Sequence, residues 1–303
     1  MMRVVFSSVA MAAITLAPVM AQQAADTVAP EFASGVSAFD TLSEAANAAL
    51  AAKEAGVPTT AENWMIAAAN PLAVEAGAAV LRDGGTAADA VVAVQAVLGL
   101  VEPQSSGLGG GAFLVWYDAD TGEVTTLDGR ETAPLAVTPT LFQTDDGEPM
   151  GFWDAVVGGR SVGTPGTPML MEEAHDRWGN AEWAGLFETA ISLAEDGFTV
   201  SERLASSIEG GAERLQTFSR TADYFFPGGE ALQAGDTLVN ENYANTLRLI
   251  AAHGSKALYT GPIADDIVAT VRTAAGNPGA LSAEDLALYK VIERDAVCVP
   301  YRT

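Results

Sequence analysis

The stretch VEPQSSGLGGGAFLVWYDADTGEVTTLDGRETAP, which spans Val101–Pro134, carries the clearest information about the fold. Glycine fills four of the five positions in 107–111, directly before an apolar run. The apolar or β-branched segments Ala112–Tyr117 and Glu123–Leu127 are separated by the turn residues DADTG at 118–122. This arrangement predicts a β-hairpin that follows a glycine-rich joint.

The letters of residues 107–112 satisfy the dinucleotide-binding pattern G-x-G-x-x-G/A. Binding of a pyrophosphate by this pattern needs a strand before the glycines and a helix after them. Here the order is reversed, because the apolar helical pattern of residues 87–100 precedes the glycines and a strand follows them. We therefore expect a joint between a buried helix and a buried strand, since glycine permits positive φ and close backbone approach.

Helical periodicity recurs along the rest of the chain. Capping side chains that precede these patterns predict helix N-termini at Asn70, Thr86, Ser201 and Ser282. Trp64–Ala69 is expected to be a buried strand, Val156–Val162 a further strand, and the C-terminal residues 291–303 have strand character. Helices are predicted near residues 40–55, 71–84, 87–100, 168–178, 182–196, 201–216, 241–253, 262–275 and 282–290.

Residues 159–163, GRSVG, match the nucleophile motif G-x-S-x-G of serine hydrolases. That motif needs its serine on a sharp turn between a strand and a helix. The prolines of the following segment TPGTP, residues 164–168, prevent a helix from beginning beside Ser161. The histidine in the expected chain order, His253, has the sequence context of a helix C-terminus. The pattern therefore argues against a serine hydrolase.

The composition limits the partners and the chemistry of this protein. The 303 residues carry a formal net charge of −24, which disfavours binding to nucleic acid or to an anionic membrane. The hydrophobic fraction of 49% is enough for a substantial core. The single cysteine, Cys298, lies in an apolar run and is expected to be a buried thiol. The sequence has only two histidines, His175 and His253, so it offers few of the usual ligands for a metal site, and no cofactor is expected.

The N-terminal residues have the pattern of a secretory signal peptide. A short basic start at Arg3 precedes an apolar stretch, and Val19–Ala21 offers small or apolar side chains to a signal peptidase. We expect cleavage after Ala21 and a periplasmic or secreted mature protein. A first transmembrane helix is the alternative, but the apolar run is short for a membrane span.

Arg130 ends the second predicted strand in a chain that has few cationic residues. A guanidinium group binds a carboxylate through a planar pair of donors, so Arg130 is a candidate for substrate binding. An ion pair with Asp128 or Glu131 is the structural alternative. The residues alone leave both interpretations open.

Five segments together resemble the γ-glutamyltransferase (glutathione hydrolase) family, in the order in which that family has them. They are EPQSSGLGGGAF, LDGRETAP, GGRSVGTPGTP, ALYTGPIADDIVATVR and LSAEDLALYKVIERDAV. The resemblance covers roughly residues 60–303. It implies the α+β fold of the N-terminal-nucleophile hydrolases, a four-layer αββα sandwich, here incomplete because only the large-subunit part is matched.

The same resemblance implies a precursor that cleaves itself into a large and a small subunit. The new N-terminal threonine of the small subunit attacks the γ-glutamyl carbonyl, its own α-amine acts as general base, and an acyl-enzyme forms. Water, an amino acid or a peptide then accepts the acyl group. This threonine lies beyond the matched region, so no catalytic residue is expected in this chain, and Thr303 has no processing context. The resemblance implies that Arg130 binds the α-carboxylate of glutathione or of another γ-glutamyl substrate.

The expected organisation is a signal peptide at residues 1–21, a flexible lead-in and first helix at 22–58, and a large-subunit region at 59–303 that is truncated at its C-terminus. Without the small subunit from the same precursor, the chain is expected to be inactive. Two alternatives stay open at this point. One is a cephalosporin or glutaryl acylase of the same superfamily, and the other is a non-catalytic exported protein that retains only a binding surface.

Overall fold

The computed structural model describes residues 42–300, so the expected signal peptide lies outside the described residues. The α-helices are α1 (Glu44–Glu54), α2 (Pro71–Arg82), α3 (Ala87–Val101), α4 (Phe152–Val156), α5 (Thr167–Trp178), α6 (Glu188–Asp196), α7 (Glu202–Gly210), α8 (Ala212–Leu215), α9 (Ser219–Phe225), α10 (Glu241–His253), α11 (Lys256–Tyr259), α12 (Pro262–Arg272) and α13 (Ala283–Leu288). The strands are β1 (Ala112–Tyr117), β2 (Val124–Gly129), β3 (Phe198–Thr199), β4 (Thr237–Leu238) and β5 (Ile292–Asp295). Short 3-10 helices cover Trp183–Phe187 and Pro227–Gly229.

Helices α2 and α3 pack against each other, and their N-termini form as predicted. The Asn70 side chain accepts a hydrogen bond from the N–H of Leu72, and Pro71 occupies the first helical position, where its missing N–H costs nothing. Thr86 and Asp89 form a reciprocal capping box at the start of α3. Capping therefore sets where both helices begin.

Helix α3 lies inside the core, as its apolar sequence predicts. It contacts α2, α5, α6 and the 3-10 helix of Trp183–Phe187. Because it has neighbours on several sides, it needs apolar side chains on more than one face. Its most deeply buried residues are Ala88, Asp89, Ala90, Val92, Ala93, Ala96, Val97, Leu100 and Val101.

An antiparallel sheet of three strands has the order β1–β2–β5. The predicted hairpin joins β1 to β2, with Leu114 opposite Leu127, and the strand predicted in the C-terminal segment is present as β5. Helix α5 covers one face of the sheet, where Trp116 stacks on Trp178 with 4.6 Å between the ring centroids. Strand β1 is an edge strand of this sheet.

The opposite face of the sheet, which we call the open face, carries exposed apolar side chains that no residue of 42–300 covers, next to the ion pair of Asp128 and Arg294. On β1, Phe113, Val115 and Tyr117 are 61%, 69% and 63% exposed. Val124 on β2 and Ile292 on β5 extend the same apolar surface. A group of exposed apolar side chains of this kind is typical of a protein interface.

Two predicted strands are absent from the described structure. Trp64–Ala69 is an irregular segment, with Trp64 and Met65 exposed, because no strand of residues 42–300 pairs with it. Val156–Val162 begins as the end of α4 and then turns at Gly158, whose φ is +117°. The prediction of a strand in either segment was wrong because apolar character alone does not supply a hydrogen-bonding partner.

A side-chain amide, rather than a neighbouring strand, satisfies the backbone around the Gly158 turn. Asn277 Nδ2 donates to the carbonyl oxygens of Asp154 and Val157, each at 2.9 Å. Arg160 Nε donates to Asn277 Oδ1 at 2.7 Å. These contacts fix the segment between β2 and α5 to the loop that follows α12.

The expected burial of Cys298 is also wrong, since this thiol is exposed. Strand β5 ends at Asp295, and the apolar run that follows it lies on the surface. Helix boundaries differ from the predictions by a few residues; the pattern at 201–216, for example, is divided at Gly211 into α7 and α8. Within residues 42–300, no helix combines the length and the apolar character needed to cross a bilayer.

The Asp89 carboxylate ties α3 to the segment that follows α5. It is fully buried, and its Oδ2 atom accepts hydrogen bonds from the N–H groups of Thr86, Asn180 and Ala181 at 2.8, 3.0 and 3.2 Å. Burial favours the neutral acid, but these donors outweigh it and hold the pKa of Asp89 below its ordinary value of 3.8. The stabilisation is therefore present above that pH and is lost as the pH falls through the lower, folded-state pKa.

We expect Asp89→Ala to lower the free energy of unfolding by about 3 kcal/mol or more at neutral pH, because several N–H groups lose their acceptor. Urea unfolding followed by circular dichroism measures this change. Asp118→Ala is the matched control, because Asp118 also accepts from two backbone N–H groups but does so in the exposed hairpin turn. An equal loss in both variants would contradict the role of burial.

Candidate functional site

The candidate site lies where β2 ends, because Arg130 directly follows the last residue of this strand. Its side chain is 65% exposed, and its Nε atom lies 3.1 Å from Glu131 Oε2. No side chain or backbone oxygen within residues 42–300 accepts a hydrogen bond from the two terminal nitrogens of its guanidinium. The group therefore keeps the donor pair that could bind a carboxylate from outside the described chain.

Hydrogen bonds hold the backbone of Arg130 on both sides. Its N–H donates to Asp128 Oδ1 at 2.9 Å, and its carbonyl oxygen accepts from the Tyr289 hydroxyl at 2.8 Å. The Arg130 N–H and the Arg294 guanidinium, which donates to Asp128 Oδ2 at 2.6 Å, hold the pKa of Asp128 below its ordinary value. Of the two acids considered as ion-pair partners, Glu131 contacts the guanidinium, whereas the hydrogen bonds of Asp128 go to the Arg130 backbone and to Arg294.

Glycines let three backbone segments meet beside Arg130. A Cβ atom on Gly166 would lie 1.9 Å from the Gly129 carbonyl oxygen, and one on Gly111 would lie 2.7 Å from that same oxygen. The carbonyl oxygen of Gly110 accepts hydrogen bonds from the N–H groups of Gly166 and Thr167 at 2.9 and 3.1 Å. The start of α5, the glycine segment and the end of β2 are thereby joined.

The expected role of the glycine segment, a joint between a buried helix and a buried strand, is confirmed in part. The strand that follows it, β1, is half exposed rather than buried, because it is an edge strand with one open face. None of the four glycines in 107–111 has a positive φ, so conformational freedom is not the reason for these glycines. Close approach is the reason at Gly111, where a Cβ atom would also lie 2.7 Å from the Glu131 N atom. At Gly109 the space is open, with no atom within 4 Å of a Cβ position.

A buried carboxylate anchors the residues just before the glycines. The Glu102 side chain accepts hydrogen bonds from Asn70 Nδ2 at 3.1 Å, Gln104 Nε2 at 2.7 Å and Arg203 Nη1 at 2.7 Å. It is 1% exposed, so these charge-assisted contacts lie in a poorly solvated environment. The glycine segment is therefore fixed at its start to α2 and α7.

The short helix α13 and the tyrosine after it hold the segment that carries Arg130. The sequence predicts the helix but not this contact. Besides the contact from Tyr289 to Arg130, Asp285 Oδ1 accepts a hydrogen bond from the N–H of Leu135 at 2.7 Å. Burial raises the pKa of Tyr289 to about 12, so its hydroxyl keeps its proton at neutral pH. The segment LSAEDLALYKVIERDAV contains Asp285 and Tyr289, the residues that make these contacts. No local sequence pattern indicates a contact to residues 150 positions earlier.

The other sequence candidates lie elsewhere. Ser161 is not at a strand-to-helix turn, and its hydroxyl donates to the Val156 carbonyl oxygen at 2.9 Å. His253 is the last residue of α10, as predicted, and His175 Nε2 lies 3.6 Å from the buried Asp89 Oδ1. Thr303 lies outside the described residues. Within residues 42–300, no group of three or more His, Cys, Asp or Glu side chains could hold a metal ion.

Two open depressions in the described surface have volumes of about 310 and 250 Å³. The first is lined by residues of α9 and of the start of α10, and the second by residues of α4, Val157 and the region around α8. Arg130 lines neither of them. The candidate site is an exposed guanidinium at the end of a strand, apart from both of these depressions.

We expect Gly111→Ala to destabilise the protein by about 1–3 kcal/mol, because the added methyl group would overlap the backbone of Gly129 and Glu131. Gly109→Ala is the matched control in the same segment and should change the stability by less than about 0.5 kcal/mol. Thermal unfolding of both variants measures the difference. Equal tolerance of the two substitutions would show that close packing does not explain Gly111.

Comparisons with known proteins identify the family of this chain. The sequence profile of the Gamma-glutamyltranspeptidase family matches residues 73–303. The chain is 42% identical to the glutathione hydrolase proenzyme of Bacillus subtilis (strain 168) over 232 residues, which are 76% of this chain and 38% of that protein. The structure is similar to the crystal structure of Helicobacter pylori gamma-glutamyltranspeptidase, with a TM-score of 0.76 and 34% identity over 81% of this chain and 69% of the other.

The structure is also similar to the crystal structure of cephalosporin acylase from Bacillus halodurans, with a TM-score of 0.66 and 28% identity over 81% of this chain and 48% of the other. These likenesses confirm the predicted α+β fold of the N-terminal-nucleophile hydrolases. The chain spans well under half the length of the Bacillus subtilis relative, at 38%. The family profile and the level of identity together show that this chain belongs to the gamma-glutamyltranspeptidase family.

Proposed function

We propose that this chain is the large-subunit portion of an exported γ-glutamyltransferase or glutathione hydrolase, with residues 59–303 forming the large-subunit region. Residues 1–21 would direct the precursor to the periplasm or the medium. The rest of the proenzyme would supply the small subunit. Family membership supports the proposal, and the observation that carries it is the presentation of Arg130 at the end of β2.

Arg130 has the geometry that recognition of an α-carboxylate requires. Glu131 contacts the Nε side of the guanidinium, while the terminal nitrogens have no acceptor in residues 42–300. The edge formed by the two terminal nitrogens of the guanidinium matches the two oxygens of a carboxylate. Such a planar two-pronged contact is stronger and more directional than the contact of a single ammonium group. We assign Arg130 the role of binding the free α-carboxylate of glutathione or of a similar γ-glutamyl compound.

The remaining chemistry belongs to the small subunit. In the proposed reaction, the hydroxyl oxygen of its N-terminal threonine attacks the γ-glutamyl carbonyl, and the hydroxyl proton passes to the threonine α-amine. The C–N bond breaks as the leaving amine takes that proton, which leaves the γ-glutamyl ester of the threonine. Water or the amine of an acceptor amino acid or peptide then attacks the ester and releases the threonine. This chain contributes binding and orientation of the donor substrate.

The open face of the sheet supports the proposal that a further part of the precursor packs here. Phe113, Val115 and Tyr117 project from an edge strand, and no described residue covers them. In an αββα sandwich, this inner face of one sheet packs on a second sheet. We propose that strands of the small subunit supply that second sheet and place the threonine near Arg130.

A cephalosporin or glutaryl acylase is the second candidate function, favoured by the likeness to the Bacillus halodurans acylase. A glutaryl group also carries a carboxylate, so the guanidinium of Arg130 would serve either substrate. A non-catalytic exported protein that retains only a binding surface is the third outcome. Activity of the full proenzyme on γ-glutamyl and glutaryl amides separates all three.

In the full proenzyme, we expect Arg130→Lys to raise KM for γ-glutamyl-p-nitroanilide by about tenfold or more, because a lysine cannot make the bidentate contact. Steady-state release of p-nitroaniline measures this change. Arg220→Lys is the matched control, since Arg220 makes an exposed ion pair with Asp266 on α12. An unchanged KM in Arg130→Lys would assign Arg130 to the ion pair with Glu131 alone.

The 303-residue chain expressed alone should release no p-nitroaniline from γ-glutamyl-p-nitroanilide, because the proposed nucleophile lies on the small subunit. The full proenzyme, assayed in parallel, is the positive control. Turnover by the pure chain would show that it carries its own nucleophile and would overturn this division of roles.

A further inference from the structure

The Tyr289 hydroxyl makes a specific long-range contact with the backbone at the candidate site. It donates to the Arg130 carbonyl oxygen at 2.8 Å, across 159 positions of the chain. Tyr289 is 5% exposed, so water competes little for this hydrogen bond. The contact determines where the backbone of Arg130 lies relative to the helical layer.

The tyrosine ring is held by its surroundings. It stacks on Tyr259, with 5.7 Å between ring centroids and 8° between the ring planes. A Cβ atom on Gly166 would lie 2.1 Å from the Tyr289 Oη atom, so the absence of a side chain at Gly166 leaves the room that the hydroxyl needs. The hydroxyl therefore has one well-defined position.

A second contact from the same element fixes the other end of the segment. Ser282 and Asp285 form a capping box at the start of α13, and Asp285 Oδ1 also accepts from the Leu135 N–H. The segment of residues 130–135 is thus held at one end by Tyr289, which directly follows α13, and at the other end by Asp285 of α13. An exposed side chain attached to a fixed backbone explores fewer positions than one attached to a mobile loop.

We infer that Tyr289 is a positioning residue for substrate binding, because its hydroxyl fixes the Arg130 backbone and so places the guanidinium where the substrate carboxylate binds. The inference rests on the proposed role of Arg130. Pre-ordering of a binding group lowers the entropy that binding must otherwise cost. Loss of the hydroxyl should therefore weaken the binding of substrates that carry the α-carboxylate and leave substrates without it unaffected.

The test compares two substrates in the full, matured proenzyme. γ-Glutamyl-p-nitroanilide carries the α-carboxylate, and γ-aminobutyryl-p-nitroanilide lacks it but is otherwise the same donor. We expect Tyr289→Phe to raise KM for the first by about fivefold, to leave kcat within about twofold, and to leave KM for the second unchanged. In the Arg130→Lys background, Tyr289→Phe should cause no further rise of KM for the first substrate.

Tyr259→Phe is the matched control, because the Tyr259 hydroxyl is also buried and donates to a backbone carbonyl oxygen, that of Pro165, at 2.9 Å. It should lower the thermal unfolding midpoint as much as Tyr289→Phe without the selective change in KM. If Tyr289→Phe does not mature, para-fluorophenylalanine at position 289 fills the volume of the hydroxyl without donating a hydrogen bond.

The outcomes separate this inference from the proposed function. A selective KM change in Arg130→Lys, combined with an unselective change or no change in Tyr289→Phe, would overturn the role of Tyr289 alone. The same selective change in Tyr259→Phe would also overturn it. If Arg130→Lys itself does not distinguish the two substrates, the proposed role of Arg130 fails, and the inference about Tyr289 fails with it.

Discussion

The close approach of three backbone segments at the end of β2 is the constraint on which the arrangement of this protein depends. The Gly110 carbonyl oxygen binds the first N–H groups of α5, and Gly166 leaves room for the Gly129 carbonyl oxygen. Since α5 covers the buried face of the sheet, this junction sets the distance between the helical layer and the strands. Arg130 follows within one residue, so the packing of the core and the placement of the candidate site have the same physical origin.

Buried acids provide a second set of links in a strongly acidic protein. Asp89 joins α3 to the turn after α5 through backbone N–H groups, and Glu102 joins α2, the glycine segment and α7 through amide and guanidinium donors. Each carboxylate replaces lost water contacts with several hydrogen bonds, which is the condition for burying a charge. Few cationic residues are available, and Arg203 forms the most buried of the arginine ion pairs within residues 42–300.

Local signals were sufficient to predict much of the secondary structure. Capping residues such as Thr86 and Ser282 give helix starts because the cap is formed within one turn, and the hairpin follows from turn residues between apolar runs. Trp64–Ala69 and Val156–Val162 were mispredicted, because whether an apolar run becomes a strand depends on a partner distant in sequence. Arg130 could be singled out by its chemistry, whereas Tyr289 could not, since its contact lies 159 positions away.

The pairing of β5 with β2 also has a consequence for the way the chain is made. Arg294 on β5 lies 166 positions after Asp128, the residue of β2 that it contacts. At common rates of ribosomal synthesis, about 8 to 33 seconds separate the emergence of these two strands. During that interval the outer edge of β2 is unpaired as well as that of β1, which stays an edge strand in the folded sheet. An unpaired strand edge is a template for pairing with another chain. The sheet is therefore most open to pairing with another chain in the interval before β5 has been synthesised.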